Sequence, residues 1–129
     1  MGVTIRYDPQ SSVPAIRQIA DNLRILLVEE RLKPGAQLPS MRRLAMELGV
    51  HFSTVAEAYR ELAAEGWLDL RHGRGATVLA RSAPSIRRKA WLDEFRDRLR
   101  GLIAQTRADG APGDEVAEEL QTAAKEITR

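Results

Sequence analysis

The stretch LPSMRRLAMELGVHFSTVAEAYRELAAEG, residues 38–66, decides the fold. Ser40 stands where a hydroxyl caps a helix start, within reach of the amides of Arg42 or Arg43. Leu44, Ala45 and Leu48 follow at helical spacing, and Gly49 ends the run because a residue without Cβ takes a positive φ at little cost. After the connection Val50-His51-Phe52, a second helix is predicted from about Ser53 to Glu65. It carries Val55, Ala58, Tyr59 and Leu62 on its buried face and stops at Gly66. Two short helices joined at a tight glycine turn pack at a steep angle and leave the N-terminal end of the second projecting outward. The side chains expected on that outward face are Phe52, Ser53, Thr54, Ala56, Glu57 and Arg60.

On the N-terminal side, residues 1–11 alternate loosely (Val3, Ile5, Tyr7) as an extended arm that turns at Asp8-Pro9-Gln10-Ser11. Ser12 and Pro14 then open a helix, since proline has no amide to waste in a first turn. Ile16, Ile19, Ala20, Leu23, Leu26 and Leu27 give it one apolar face, and Lys33-Pro34-Gly35 is expected to stop it. On the C-terminal side, Trp67–Arg71 and Ala76–Ala80 alternate around His72-Gly73-Arg74-Gly75, the pattern of a glycine-tipped hairpin. Pro84 and Ser85 mark a boundary. A long helix is predicted from about Ile86 to Ala108, with Trp91, Leu92, Phe95, Leu99, Leu102 and Ile103 on one side. Gly110-Ala111-Pro112-Gly113 breaks it, and Asp114 is expected to cap a last helix bearing Val116, Leu120, Ala123, Ala124 and Ile127. The expected fold is mainly α: a winged helix-turn-helix with a small two-stranded β-wing over residues 12–80, then a short two-helix region over 81–129.

Composition narrows the function classes. The 129 residues are 43% hydrophobic and 29% charged, an ordinary globular mix, with no cysteine. Disulfides and cysteine-ligated zinc are excluded, and the start has no apolar signal region, so the expected location is cytoplasmic. No apolar run is long enough to cross a bilayer. The net charge of +2 hides an uneven distribution. Residues 81–89 hold four basic side chains (Arg81, Arg87, Arg88, Lys89) and no acid, while residues 101–129 hold three basic and six acidic. A basic junction beside an acidic tail suits a molecule of which one part meets phosphate, although solvated faces also give such runs. Enzyme chemistry has no support: there is no nucleophile–base pair, phosphate loop or metal-spaced cluster, and Gly73-Arg74-Gly75 is too short for a nucleotide loop. Neither metal nor cofactor is expected.

The segments Leu38-Pro39-Ser40-Met41-Arg42-Arg43-Leu44-Ala45, Leu48-Gly49-Val50, Thr54-Val55, Ala58-Tyr59, Leu62, Glu65-Gly66-Trp67-Leu68 and Gly73-Arg74-Gly75-Ala76-Thr77-Val78 together resemble the GntR-type winged helix-turn-helix. The resemblance covers about residues 12–80. It implies a sequence-specific regulator of duplex DNA, expected to be a repressor. It points to Arg42 as a DNA contact, to Phe52, Ser53 and Thr54 at the opening of the recognition helix, and to His72, Gly73 and Arg74 in the wing. Ser40, Arg43 and Arg60 complete the expected DNA-facing set. Many relatives carry a polar or basic residue in place of Phe52, and some a second arginine in place of Ala56. Base readout is therefore open to an apolar contact, such as a thymine methyl. About 49 residues follow residue 80, and their two helices look like the short dimerisation region of the YtrA-like subfamily. That implies a homodimer on an inverted repeat, joined through Trp91, Leu92, Phe95, Leu99, Leu102, Ile103 and Leu120. No membrane partner is expected and no effector is assigned.

Plainer readings stand beside these. Arg42 is either a phosphate clamp or an exposed helix arginine paired with an acid such as Glu47. His72 is a groove contact or a solvated turn residue. Phe52 meets a base or packs against the wing, and Tyr59 is core with its hydroxyl at the edge or a DNA contact. The alternative function is a winged-helix protein-interaction module without DNA contact, which predicts a neutral or acidic face; Arg42, Arg43, Arg60 and Arg74 argue against it.

Overall fold

The computed structural model describes residues 4–71, 75–84 and 88–128. The chain divides into two compact units, Met1–Ser82 and Ala83–Arg129.

In the first unit, α1 (Ala15–Val28) starts directly after Pro14, which takes the N-cap position and so stands before the first turn rather than in it as the sequence predicts. The arm before it is tied back: Asp8 N donates to Gln18 Oε1 at 2.9 Å, and Gln18 Nε2 donates to the carbonyl oxygens of Asp8 and Val13. α1 ends before the expected stop at Lys33-Pro34-Gly35. Glu30 takes a left-handed conformation (φ 60), its amide donates to the Leu27 carbonyl, and the Arg31 amide donates to that of Leu26. This is a Schellman ending with a glutamate in the place usually given to glycine, so the sequence carried no glycine to announce it.

α2 (Met41–Leu48) begins where predicted, with Ser40 Oγ accepting from the Arg43 amide at 3.1 Å. Gly49, at φ 70, turns the chain into α3 (Phe52–Ala64). The wing is larger than the expected two strands. β2 (Leu68–Asp69) pairs with β3 (Ala76–Val78) as predicted, Leu68 opposite Val78, but β3 also pairs with β1 (Gln37–Leu38), giving the order β1-β3-β2. Two residues are too few to show alternation, so β1 is invisible to a periodicity reading. Residues 72–74, at the expected hairpin tip, lie outside the described residues.

The core of this unit joins Ile19 and Leu23 of α1, Leu44 of α2, Val55, Tyr59 and Leu62 of α3, and Leu68, Ala76 and Val78 of the sheet. Burying an aliphatic side chain of this size stabilises by about 1.5–3 kcal/mol. Ala56, expected on the outward face, is fully buried. Both α1 and α2 pack on α3, so the buried arc is wider than the single stripe from which Ala56 was excluded. At the edge of the α1–α3 contact, Arg24 bonds Glu65 at 2.6 Å and Glu61 at 2.8 Å, and Arg17 bonds Glu61 at 2.6 Å. The Arg24 guanidinium holds both carboxyl groups below the usual carboxylate range, against the opposing effect of desolvation.

The second unit comprises α4 (Arg88–Ala108) and α5 (Gly113–Ile127). Asp114 does not cap α5. The helix opens two residues earlier than such a cap would place it, after Pro112, and Asp114 Oδ1 accepts only from the next amide, Glu115. Asp114 and Glu115 instead place negative charge in the first turn, where the helix dipole favours it. Among the described residues no side chain of this unit is buried, and α4 and α5 scarcely touch. No helix of the described residues is long and apolar enough to cross a membrane.

Candidate nucleic-acid interface

The segment Leu38-Pro39-Ser40 is held from two sides, and this places the start of α2. On one side, the Tyr59 hydroxyl, in the middle of α3, donates to the Pro39 carbonyl at 2.8 Å. Tyr59 is thus core with its hydroxyl satisfied, and burial pushes its titration up. On the other side, Gly75 at the base of the wing approaches so closely that a Cβ there would stand 3.0 Å from the Leu38 carbonyl oxygen and 3.5 Å from the Ser40 backbone. Gly75 also has φ 78, so both space and conformation require glycine.

The result is a surface depression of about 410 Å³ lined by Ser40, Met41, Arg42, Phe52, Leu70 and Gly75. Three of the residues singled out from sequence, Ser40, Arg42 and Phe52, therefore meet at one place although they come from a cap, a helix and the opening of another helix. Phe52 is half exposed at 50%, which excludes its burial as ordinary core. Arg42 is exposed and makes no ion pair among the described residues; it is Arg43 that pairs with Glu47, at 3.0 Å. Ser53 is exposed and Thr54 half-buried beside Phe52, and Arg60 is exposed two turns further along α3. Arg60 does not line the depression. His72, Gly73 and Arg74 lie outside the described residues.

Met41 and Leu70 were not singled out from sequence as part of this surface. Leu70 had a signal in the alternation of residues 67–71, but nothing in the sequence said that its face looks toward α2. A second depression, about 370 Å³, joins Tyr7 of the arm to Gly49, Val50, His51 and Thr54 at the other side of the α3 N-terminus. His51 occupies the N-cap position with no side-chain capping bond. The interface has exposed hydroxyls, cations and one aromatic ring around a helix N-terminus, whose dipole and unpaired amides favour anions.

A helix-turn-helix with a three-stranded wing, carrying this surface, is the architecture of a DNA-binding regulator. The family described as bacterial regulatory proteins, gntR family, matches residues 15–78. A transcriptional regulator of Bacillus subtilis, YhcF, is 33% identical over 118 residues, covering 88% of this chain and 92% of that protein. The chain belongs to the GntR family. It is also similar to the B. subtilis transcriptional repressor YtrA, 29% identical over 123 residues and covering 95% of this chain and 94% of that one. Among solved structures, YtrA from Sulfolobus acidocaldarius, a GntR-family transcription factor, is 34% identical with a TM-score of 0.53, covering 97% of this chain and all of that one. The protein is thus a YtrA-like GntR transcription regulator and not an enzyme.

Proposed function

We propose that the protein is a repressor that binds an inverted-repeat operator in duplex DNA as a homodimer, in the cytoplasm. Residues 12–80 form the DNA-binding head and residues 81–129 the dimerisation region. The observation that carries the reading is the convergence of Ser40, Arg42 and exposed Phe52 on one depression at the N-terminal end of α3.

In this reading α3 enters the major groove by its N-terminal end, and Phe52 meets base edges there. A phenyl ring offers no hydrogen bond, so its favoured contact is the thymine C5-methyl. Ser40, Arg42, Arg43, Ser53, Thr54 and Arg60 contact phosphate or groove edge around it, and His72, Gly73 and Arg74 do so from the wing tip. The dimer reading is supported by the apolar side chains that the second unit leaves in water: Trp91, Phe95, Leu102 and Leu120 keep 41, 53, 64 and 38% of their surface, with Leu92, Leu99 and Ile103 half-buried between them. Two-fold pairing of two heads asks for DNA with the same symmetry. The repressor reading follows the likeness to YtrA of B. subtilis, a transcriptional repressor. Selection of bound duplexes from a random pool, followed by titration at several salt concentrations, is the test. Enrichment of an inverted repeat with a steep salt dependence is expected; an unenriched pool would remove the proposal.

A further inference from the structure

Arg81 belongs neither to the core nor to the proposed DNA face, yet it is held by several contacts. Its Nε donates to the Glu65 carbonyl oxygen at 2.7 Å, and its guanidinium carbon lies 4.3 Å from the centroid of the Trp67 ring. Glu65 is the C-cap of α3, so the cation sits at the negative end of that helix dipole. The side chain runs across Gly66, with Cδ and Nε 3.8 Å from the place a Cβ would take. It also borders a depression shared with Leu27, Leu32, Trp67 and Leu79. The last backbone hydrogen bond before it is Leu79 N to Trp67 O, at 2.9 Å, and the first unit ends one residue after it, at Ser82.

We propose that Arg81 is a positioning residue: by pinning the point where the chain leaves the head, it sets the half-site spacing that the dimer accepts. This rests on the dimeric, inverted-repeat reading above. The reason is tether length. With Arg81 docked, the chain released from the head starts at Ser82; with the clasp open, it starts at Ala80. An extended chain spans about 3.3–3.6 Å per residue, so opening the clasp lengthens each tether by about 7 Å. A dimer has two tethers, so its heads can stand about 14 Å further apart, about four base pairs at about 3.4 Å each. A tether too short to span two sites gives almost no effective concentration at the second, and a longer one spreads it over more separations. The clasped dimer is therefore selective for spacing, and the released dimer tolerant.

The test uses the full chain and duplexes carrying two selected half-sites, their separation stepped by single base pairs across one helical turn, plus a duplex with one half-site. The wild type is expected to favour one spacing by about tenfold over those about four base pairs away, and Arg81→Ala to reduce that preference to about threefold or less. Binding to the single half-site should stay within about twofold, because the contacts of the head with DNA are untouched. Arg81→Lys keeps the charge and the stem over Trp67 but loses the planar guanidinium, and should fall between the two; it also serves if the alanine variant does not fold. An Arg81→Ala profile as sharp as the wild type, or an equal loss at every spacing and at the single half-site, would overturn the proposal. A wild type that gains nothing from a second half-site would remove the inverted-repeat reading itself, and this inference with it.

Discussion

α1 and α4 are both long amphipathic helices, and their apolar faces meet opposite fates. Ile19, Ala20 and Leu23 of α1 are at 0% exposure, while Phe95 and Leu102 of α4 keep 53 and 64%. The face of α1 is covered by α3 of the same unit. That of α4 has no such cover within its own unit, because α4 and α5 scarcely touch among the described residues. Periodicity thus says that a helix needs a neighbour but not where the neighbour is. The head has the anatomy of a unit that folds on its own core, whereas the tail leaves its apolar face uncovered by its own unit.

The largest effect expected from this difference lies in the isolated halves. Residues 1–82 should unfold in urea with one cooperative transition that is independent of concentration. Residues 83–129 should show helical circular dichroism that disappears on dilution, since isolated helices of this length are marginal in water. A tail that stays helical as a monomer breaks the comparison. In the full chain, Phe95→Asp combined with Leu102→Asp should weaken the dimer by at least about a thousandfold, as each burial lost is about 1.5–3 kcal/mol and about 1.4 kcal/mol is tenfold. Sedimentation velocity reads this directly; an unchanged dimer would place the interface elsewhere.

A smaller effect separates the two cores. Leu23→Ala should cost the head about 2–5 kcal/mol by urea denaturation, because a fully buried side chain leaves a cavity. Leu102→Ala should leave that transition where it was and act only on dimer dissociation.

Acid should act on the head through its ion pairs. The carboxyl groups of Glu61 and Glu65 are held below the usual carboxylate range by Arg24, with Arg17 adding to the effect at Glu61. Their contribution is complete at neutral pH, where both are ionised in either state. It is lost as pH falls through the depressed folded-state values, because the unfolded chain takes up the protons first. Arg24→Gln should remove much of this acid sensitivity, and the pairs are partly exposed, so the change at neutral pH should be about 1 kcal/mol or less. Denaturation curves at pH 7 and at about pH 3 check the sign; equal losses at both would show that Arg24 acts by packing.

The smallest effect sharpens the assignment of DNA contact to the head alone. Arg42→Ala should lower the slope of log affinity against log salt by about one unit, with no change in folding or dimerisation. Neutralising Arg98 or Arg100 in α4 should leave the slope unchanged. A slope that follows the tail arginines would move the interface.

Much of this architecture was legible in the sequence where a local signal existed. Ser40, Gly49 and Gly66 gave the bounds of α2 and α3, and the glycine-flanked alternation gave β2 and β3. What was not legible depends on contacts made at a distance. β1 exists because β3 pairs with it, and α1 ends early because Glu30 accepts a left-handed backbone that its side chain does not advertise. Ala56 is covered because two helices rather than one pack on α3. At the interface, the motif pointed to Ser40, Arg42 and Phe52 one by one, but their meeting with Met41 and Leu70 is a product of the Tyr59 and Gly75 contacts that place the start of α2. By contrast, the pairing of Glu47 with Arg43 and not Arg42 was open to reading from spacing, since 43 and 47 stand four apart and 42 and 47 five.

The central claim is that the opening of α3 reads bases through Phe52, and selection from a random duplex pool with the wild type and Phe52→Asn tests it most directly. Asparagine offers a bidentate pair to adenine where the ring offers only an apolar contact, so the preferred base should change at one position in each half-site, by about 1–3 kcal/mol. The two half-sites should change together, as symmetry requires. Identical preferences for the two proteins, or a change in only one half-site, would contradict the account.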